Sequence, residues 1–124
     1  MEDSTKVILI IDDEEMITEP VSALLEDHKY KVLIANSGKE AIKIYTDNKD
    51  IIDLVLLDLN MPDMNGYEVL PILIKINNMI PIVVSSGFHQ SSLKTLKSFG
   101  AIDCINKPFE EKELVNKIET ILKK

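Results

Sequence analysis

Asp12 and Asp13 follow the apolar run KVILII, Asp58 follows LVLL, Ser86 comes just after PIVV, and Lys107 comes after AIDCIN. Apolar runs without alternation are the pattern of strands buried on both faces of a parallel sheet. A carboxylate at the end of such a strand is costly unless something pairs with it, so its partners must come from elsewhere in the chain. Three carboxylates brought to one edge would repel one another. A divalent cation that prefers oxygen and keeps several waters, as magnesium does, is their natural neutraliser, and the ammonium of Lys107 adds positive charge. Adding a dianionic phosphoryl group balances such a site: metal and lysine draw charge from its oxygens while a carboxylate attacks in line. Asp58 is the candidate nucleophile.

The elements that must position these groups follow from periodicity. Strands are expected at 6–11, 30–35, 54–57, 81–84 and 101–106, the last more polar and so placed at an edge. Met16, Ile17, Val21, Leu24 and Leu25 recur at helical spacing up to about Asp27. Pro20 leaves two readings of that helix: a start at Glu14 with the proline inside and a kink, or a cap at Thr18 with the proline in the tolerated first turn. Ser37 and Glu40 have capping-box spacing and open a helix through Tyr45. Asn60, Met61, Pro62, Asp63, Asn65 and Gly66 are turn formers behind Asp58. Tyr67 to Ile76 is helical in length and apolar density, with Pro71 inside it. Ser91 or Ser92 caps a short helix carrying Leu93 and Leu96, which Gly100 closes. Leu114, Ile118, Ile121 and Leu122 mark the last helix.

Five strands alternating with five helices predict a single-domain, doubly wound α/β sheet with right-handed crossovers. Its ligand site then lies outside the carboxyl ends of the central strands. The composition agrees. A chain of 124 residues suffices for one domain over residues 1–124, and with 45% apolar but only 5% aromatic residues its core must be aliphatic. Fourteen basic against twenty-one acidic residues, a formal charge of -7, argue against direct nucleic-acid binding. One cysteine excludes an internal disulfide framework. The polar, acidic start is unlike a signal peptide, and no apolar run approaches the roughly 18 residues of a spanning helix, so a cytoplasmic protein without membrane insertion is expected.

The acidic pair Asp12-Asp13, the DLNMPDMNG loop with Asp58, the PIVVSSG strand end and the Lys107-Pro108-Phe109 turn together resemble a response-regulator receiver domain of two-component signalling, over essentially the whole chain. The resemblance implies a flavodoxin-like five-stranded parallel sheet. It also implies transfer of a phosphoryl group to Asp58 from a sensor histidine kinase, a histidine phosphotransfer domain or a small acyl phosphate. Asp13, Asp58 and the backbone carbonyl of Asn60 would hold Mg2+, with Asp12 acting mainly through bound water. Lys107 would contact the phosphoryl oxygens, and Ser86 would swing inward to hydrogen-bond them. That movement would reshape the face of the fourth helix, fifth strand and fifth helix for a downstream effector. The result would be a switch that assists its own phosphorylation and dephosphorylation without a turnover substrate. Where many receivers carry an aromatic switch residue this chain has Cys104, which puts the aromatic part of the switch in doubt.

Taken singly, each residue has a plainer reading. The Asp12–Glu15 cluster suits the positive end of a helix dipole, Asp58 and Asp63 suit turns, and Lys107 and Ser86 suit a solvated surface. His28 and His89 lack paired ligand spacing, Cys104 suits packing, Met61 and Met64 suit packing about the loop, and Lys123-Lys124 suit a helix C-terminus. Phe88 is a candidate cover that keeps water from an acyl phosphate. The competing functions are a magnesium-dependent aspartyl-phosphate phosphohydrolase, a flavin-binding module and a docking scaffold that never accepts phosphate. Such a phosphohydrolase usually has a second aspartate two residues after its nucleophile, where this chain has Asn60. The acidic first loop would repel a flavin phosphate.

Overall fold

The computed structural model describes residues 5–87 and 93–123. The sequence readings of Phe88, His89, Ser91, Ser92 and Lys124, and of the polar start over 1–4, lie outside them. In chain order the elements are β1 (Val7–Ile11), α1 (Glu15–Asp27), β2 (Lys31–Ala35), α2 (Gly38–Asp47), β3 (Leu54–Asp58), α3 (Gly66–Ile76), β4 (Ile82–Ser86), α4 (Leu93–Ser98), β5 (Asp103–Asn106) and α5 (Glu111–Leu122). The strands form one parallel sheet in the order β2-β1-β3-β4-β5, the flavodoxin-like arrangement expected from the sequence. The strand order reverses between β1 and β3, and this is where doubly wound sheets open a crevice for ligands.

Unbroken apolar strands are explained by two cores. Successive side chains of a strand point to opposite faces. Leu9, Ile11, Val55, Leu57 and Val84 pack with Ala41, Tyr45, Val69, Leu73 and Leu96 of α2, α3 and α4. Ile8, Ile10, Leu54, Leu56 and Val83 pack on the other face with Val21, Leu25, Leu114 and Ile118 of α1 and α5. A central strand thus has no solvent face on which a polar residue could stand.

The structure decides the open helix start. Glu14 is the N-cap of α1 and Pro20 lies inside the helix, as does Pro71 in α3. Both prolines are exposed. Ser37 does cap α2, its Oγ accepting from the Glu40 N–H at 3.1 Å. The expected reciprocal bond is displaced, because the Glu40 carboxylate accepts from the Asn36 N–H at 2.7 Å. A complete capping box occurs at α3 instead, between Asn65 and Glu68.

Some expected boundaries shift. β1 and β2 begin one residue later than expected, and α3 begins one residue earlier. β4 does not break at Ser85 but includes both serines, since Ser85 pairs with Asp58 and Ile105, and Ser86 with Asn106. β5 starts at Asp103 because the amide of Ala101 bonds back to the Leu96 carbonyl at 3.1 Å, closing α4. Gly100 takes a left-handed φ of 112° there, the role of a C-terminal glycine. β5 lies at the sheet edge, with Cys104 half-buried against the core.

Candidate functional site

The carboxyl ends of β1 and β3 deliver Asp12 and Asp58 to the two sides of the crevice, both almost fully buried. The loop after β5 brings Lys107 between them: its Nζ lies 2.8 Å from Asp12 Oδ2 and 3.3 Å from Asp58 Oδ1. That loop is held by the Lys107 N–H, which donates to the Ser86 carbonyl at 2.7 Å, and the Lys107–Pro108 bond is cis. Asp12 Oδ1 accepts from the Glu14 N–H at 3.0 Å, so both of its oxygens are engaged. Asp58 Oδ1 also accepts from the Asn60 N–H, at 3.3 Å.

Burial raises the Asp58 pKa. The Lys107 ammonium opposes this, the Asp12 charge adds to it, and the Asn60 N–H opposes it. Burial by itself would lower the pKa of Lys107, but its hydrogen bond to Asp12 and the charges of Asp58 and Asp12 outweigh burial and leave it raised. The lysine is therefore held charged, while the carboxylates remain in excess.

Asp13 is exposed at the mouth, and one carboxylate oxygen from each of Asp12, Asp13 and Asp58 lies within 4.8 Å of the others. Three carboxylates against one ammonium leave a formal charge of two minus, which a divalent cation would cancel. All-oxygen donors suit a hard ion of the magnesium type, so the residues present fit it. A cavity of about 220 Å³ opens over this group, lined by Asp13, Glu14, Asp58, Asn60, Gly87 and Lys107. Of the residues singled out in the sequence, Asp13, Asp58, Asn60 and Lys107 meet at this cavity and Asp12 lies buried against them. Ser86 does not line it. Its buried side chain stands at the end of β4, and Gly87 takes the lining position.

Residues 8–119 match the response regulator receiver domain family. The chain belongs to that family. This receiver is 36% identical over 118 residues to the transcriptional regulatory protein CpxR homolog of Haemophilus influenzae, covering 94% of this chain and 50% of that one. It is 34% identical over 122 residues to the cell cycle response regulator CtrA of Brucella ovis, again covering 94% and 50%. The receiver thus spans about half the length of these curated relatives. A response regulator receiver domain from Clostridium thermocellum superposes with a TM-score of 0.88 at 30% identity, covering 94% of each chain. A CheY-like receiver from Methanospirillum hungatei gives 0.85 at 30% identity, covering 96% of this chain and 94% of that one.

The site depends on turn residues whose tertiary contacts the sequence did not indicate. Gly66 is required where the loop turns back: a Cβ there would lie 2.7 Å from Leu59 Cα and 3.0 Å from the Asp58 carbonyl oxygen. Asp63, read as a turn residue, accepts from the Gly38 and Lys39 N–H groups at 3.0 and 3.1 Å. Its partners are more than twenty positions away in sequence, so no local signal marks it. The Asn65–Glu68 box was visible as an Asn-x-x-Glu spacing before an apolar run.

Proposed function

We propose that this receiver accepts a phosphoryl group on Asp58, with Mg2+, and works as a phosphorylation-dependent switch in a two-component or phosphorelay system. The observation that carries the reading is one lysine ammonium shared by two buried carboxylates at the β1/β3 crevice, with an exposed third aspartate completing a two-minus cluster. An oxygen of Asp58 attacks phosphorus. The O–P bond forms as the P–N bond of a phosphohistidine breaks and the departing imidazole takes up a proton, or as the P–O bond of an acyl phosphate breaks and the carboxylate leaves as the anion. Bound magnesium would neutralise charge on the phosphoryl oxygens, held by Asp13, Asp58 and the Asn60 carbonyl with Asp12 behind a water. Lys107 releases Asp58 to hold a phosphoryl oxygen.

Ser86 turns toward the new group and carries the strand end with it. Because the Ser86 carbonyl holds the Lys107 amide, movement there reaches the β5–α5 loop directly. The α4-β5-α5 face is the output surface in this reading. Leu93, Phe99 and Ile102, exposed by 36%, 42% and 45%, give α4 and its turn into β5 an apolar surface for an effector. The histidine-bearing donor rests on an apolar groove of about 500 Å³ whose lining includes Met16, Pro20 and Leu24 of α1 and Pro108 and Phe109. Gly87 and Lys107 line both this groove and the acidic cavity, so a domain seated there presents its histidine to Asp58. The described residues contain no helix long and apolar enough to cross a membrane, and the cytoplasm is the compartment we propose.

Intact mass after incubation with acetyl phosphate and Mg2+ tests the reading. One phosphoryl adduct, absent from Asp58→Asn and from a chelated control, is expected. A folded protein that stays unmodified with acetyl phosphate and with a panel of phosphorylated histidine kinases would instead favour the docking scaffold. Steady release of inorganic phosphate from many equivalents of a phosphomonoester would favour the phosphohydrolase. A Met16→Lys variant should keep its acetyl-phosphate reaction and lose transfer from the kinase panel.

A further inference from the structure

The loop over 59–65 carries Asn60 past Asp58, and the structure fastens it at three places. At its start the Leu59 N–H donates to the Ser85 carbonyl at 3.2 Å. At its end the Gly66 N–H donates to the Leu59 carbonyl at 2.8 Å, and Asn65 is locked into the α3 capping box. Between these, the outer bend is tied to another element altogether. Asp63 Oδ1 accepts from the Gly38 N–H at 3.0 Å and Oδ2 from the Lys39 N–H at 3.1 Å. These are first-turn amides of α2, which have no carbonyl partner within the helix. The two bonds hold the Asp63 carboxyl below the usual carboxylate range.

The approach of the two elements is close. A Cβ on Gly38 would lie 2.8 Å from Met64 Cβ, 3.1 Å from Met64 Sδ and 3.1 Å from Val69 Cγ2, so only glycine lets the loop sit this near α2. Asn60 lies between the Leu59 and Asp63 fastenings.

We propose that Asp63 is a positioning residue for divalent-cation binding: by clamping the loop to the amides of Gly38 and Lys39 it fixes the course of the backbone at Asn60. The inference rests on the magnesium reading of the acidic site. Asp63 touches neither the cation nor the phosphoryl group in this scheme. It limits the positions open to the Asn60 carbonyl, so that a cation meets a preformed donor set. Groups that orient the ligands of a metal site change its affinity without changing its chemistry.

Calorimetric titration with MgCl2 of the unmodified protein, Asp63→Ala, Asp63→Asn and Asp13→Asn tests this. Asp63→Ala should weaken Mg2+ binding about tenfold. Asp63→Asn, which keeps one acceptor oxygen, should fall between. In the acetyl-phosphate reaction the Mg2+ concentration giving half-maximal rate should rise by the same factor for Asp63→Ala, with the rate at saturating Mg2+ unchanged. A purely structural role would lower the melting temperature in chelator and leave both Mg2+ dependences where they were, which overturns the proposal. If the unmodified protein itself takes up no Mg2+, the cation reading fails and the proposal with it. If Asp63→Ala does not fold, Asp63→Asn decides, and an affinity equal to that of the unmodified protein would count against the clamp.

Discussion

Two aspartates bracket β3, five positions apart, and they do opposite work. At the amino end, Asp53 Oδ2 accepts from the Val7 N–H at 2.7 Å and secures the start of β1. Tyr45 is managed alike nearby: its hydroxyl donates to the Asn77 carbonyl at 2.7 Å, at the end where α2 and α3 finish. Both of these groups are met by the backbone. At the carboxyl end, Asp58 and Asp12 are more deeply buried than Asp53, and they share one cation, the ammonium of Lys107, which lies 95 positions beyond Asp12 in the chain. Asp12 and Asp58 also accept from the Glu14 and Asn60 amides, but two buried carboxylates sharing one cation keep an excess negative charge that a further cation would offset. The amino-terminal edge is built for stability, and the carboxyl-terminal edge carries an unbalanced charge on a stable frame.

The largest effect expected from breaking this contrast comes from Lys107→Ala. It leaves Asp12 and Asp58 buried without a cation and should cost about 3 kcal/mol in chelator. Added Mg2+ should recover part of the loss, as read from urea unfolding with and without the metal. A loss that Mg2+ does not reduce would place the lysine in an ordinary structural pair.

Neutralising the two aspartates of β3 should move stability in opposite directions. Asp53→Ala removes a hydrogen bond to a charged acceptor and should cost about 1–2 kcal/mol. Asp58→Asn removes a charge that burial and Asp12 disfavour, and should stabilise the metal-free protein by about 1 kcal/mol. The sign is set by the raised Asp58 pKa. The folded state holds that proton more tightly than the unfolded chain. The Asp58 contribution therefore falls as pH rises above the ordinary carboxylate value through the folded one, and Asp58→Asn should flatten that limb. Equal destabilisation by both variants would dissolve the contrast.

The smallest change is expected at Tyr45. Burial pushes its pKa up to about 12, from 10.0. Stability from the neutral phenol is complete below pH 10 and is lost as pH rises from there through about 12. Tyr45→Phe should lose about 1 kcal/mol at neutral pH and show a shallower alkaline decline in a thermal-melt series. An unchanged alkaline limb would mean another group governs it.

Much of this was legible in the sequence because burial on both faces leaves a strong trace. The three central strands announced themselves as apolar runs, and the aspartates behind the first and third strands of the chain were conspicuous by contrast. Edges were less legible. Ser85 and Ser86 read as a break in β4, yet the ladder continues through them, because pairing with β3 and β5 outweighs the weak strand preference of serine. Pro20 left two readings of α1 because its cost depends on where the helix starts, and the structure sets that start behind Glu14; Pro71 stands inside α3 as read.

The sequence by itself determined the alternation of elements, the aliphatic two-sided core and the identity of the charged residues at the strand ends. These are properties of residue type and period, which act over a few neighbours. Only the tertiary structure decided that Lys107 stands between Asp12 and Asp58, that Asp63 reaches α2, and that Gly87 rather than Ser86 lines the cavity. Each of these is a distance between groups far apart in the chain, fixed by sheet order and loop course, and no local pattern encodes it.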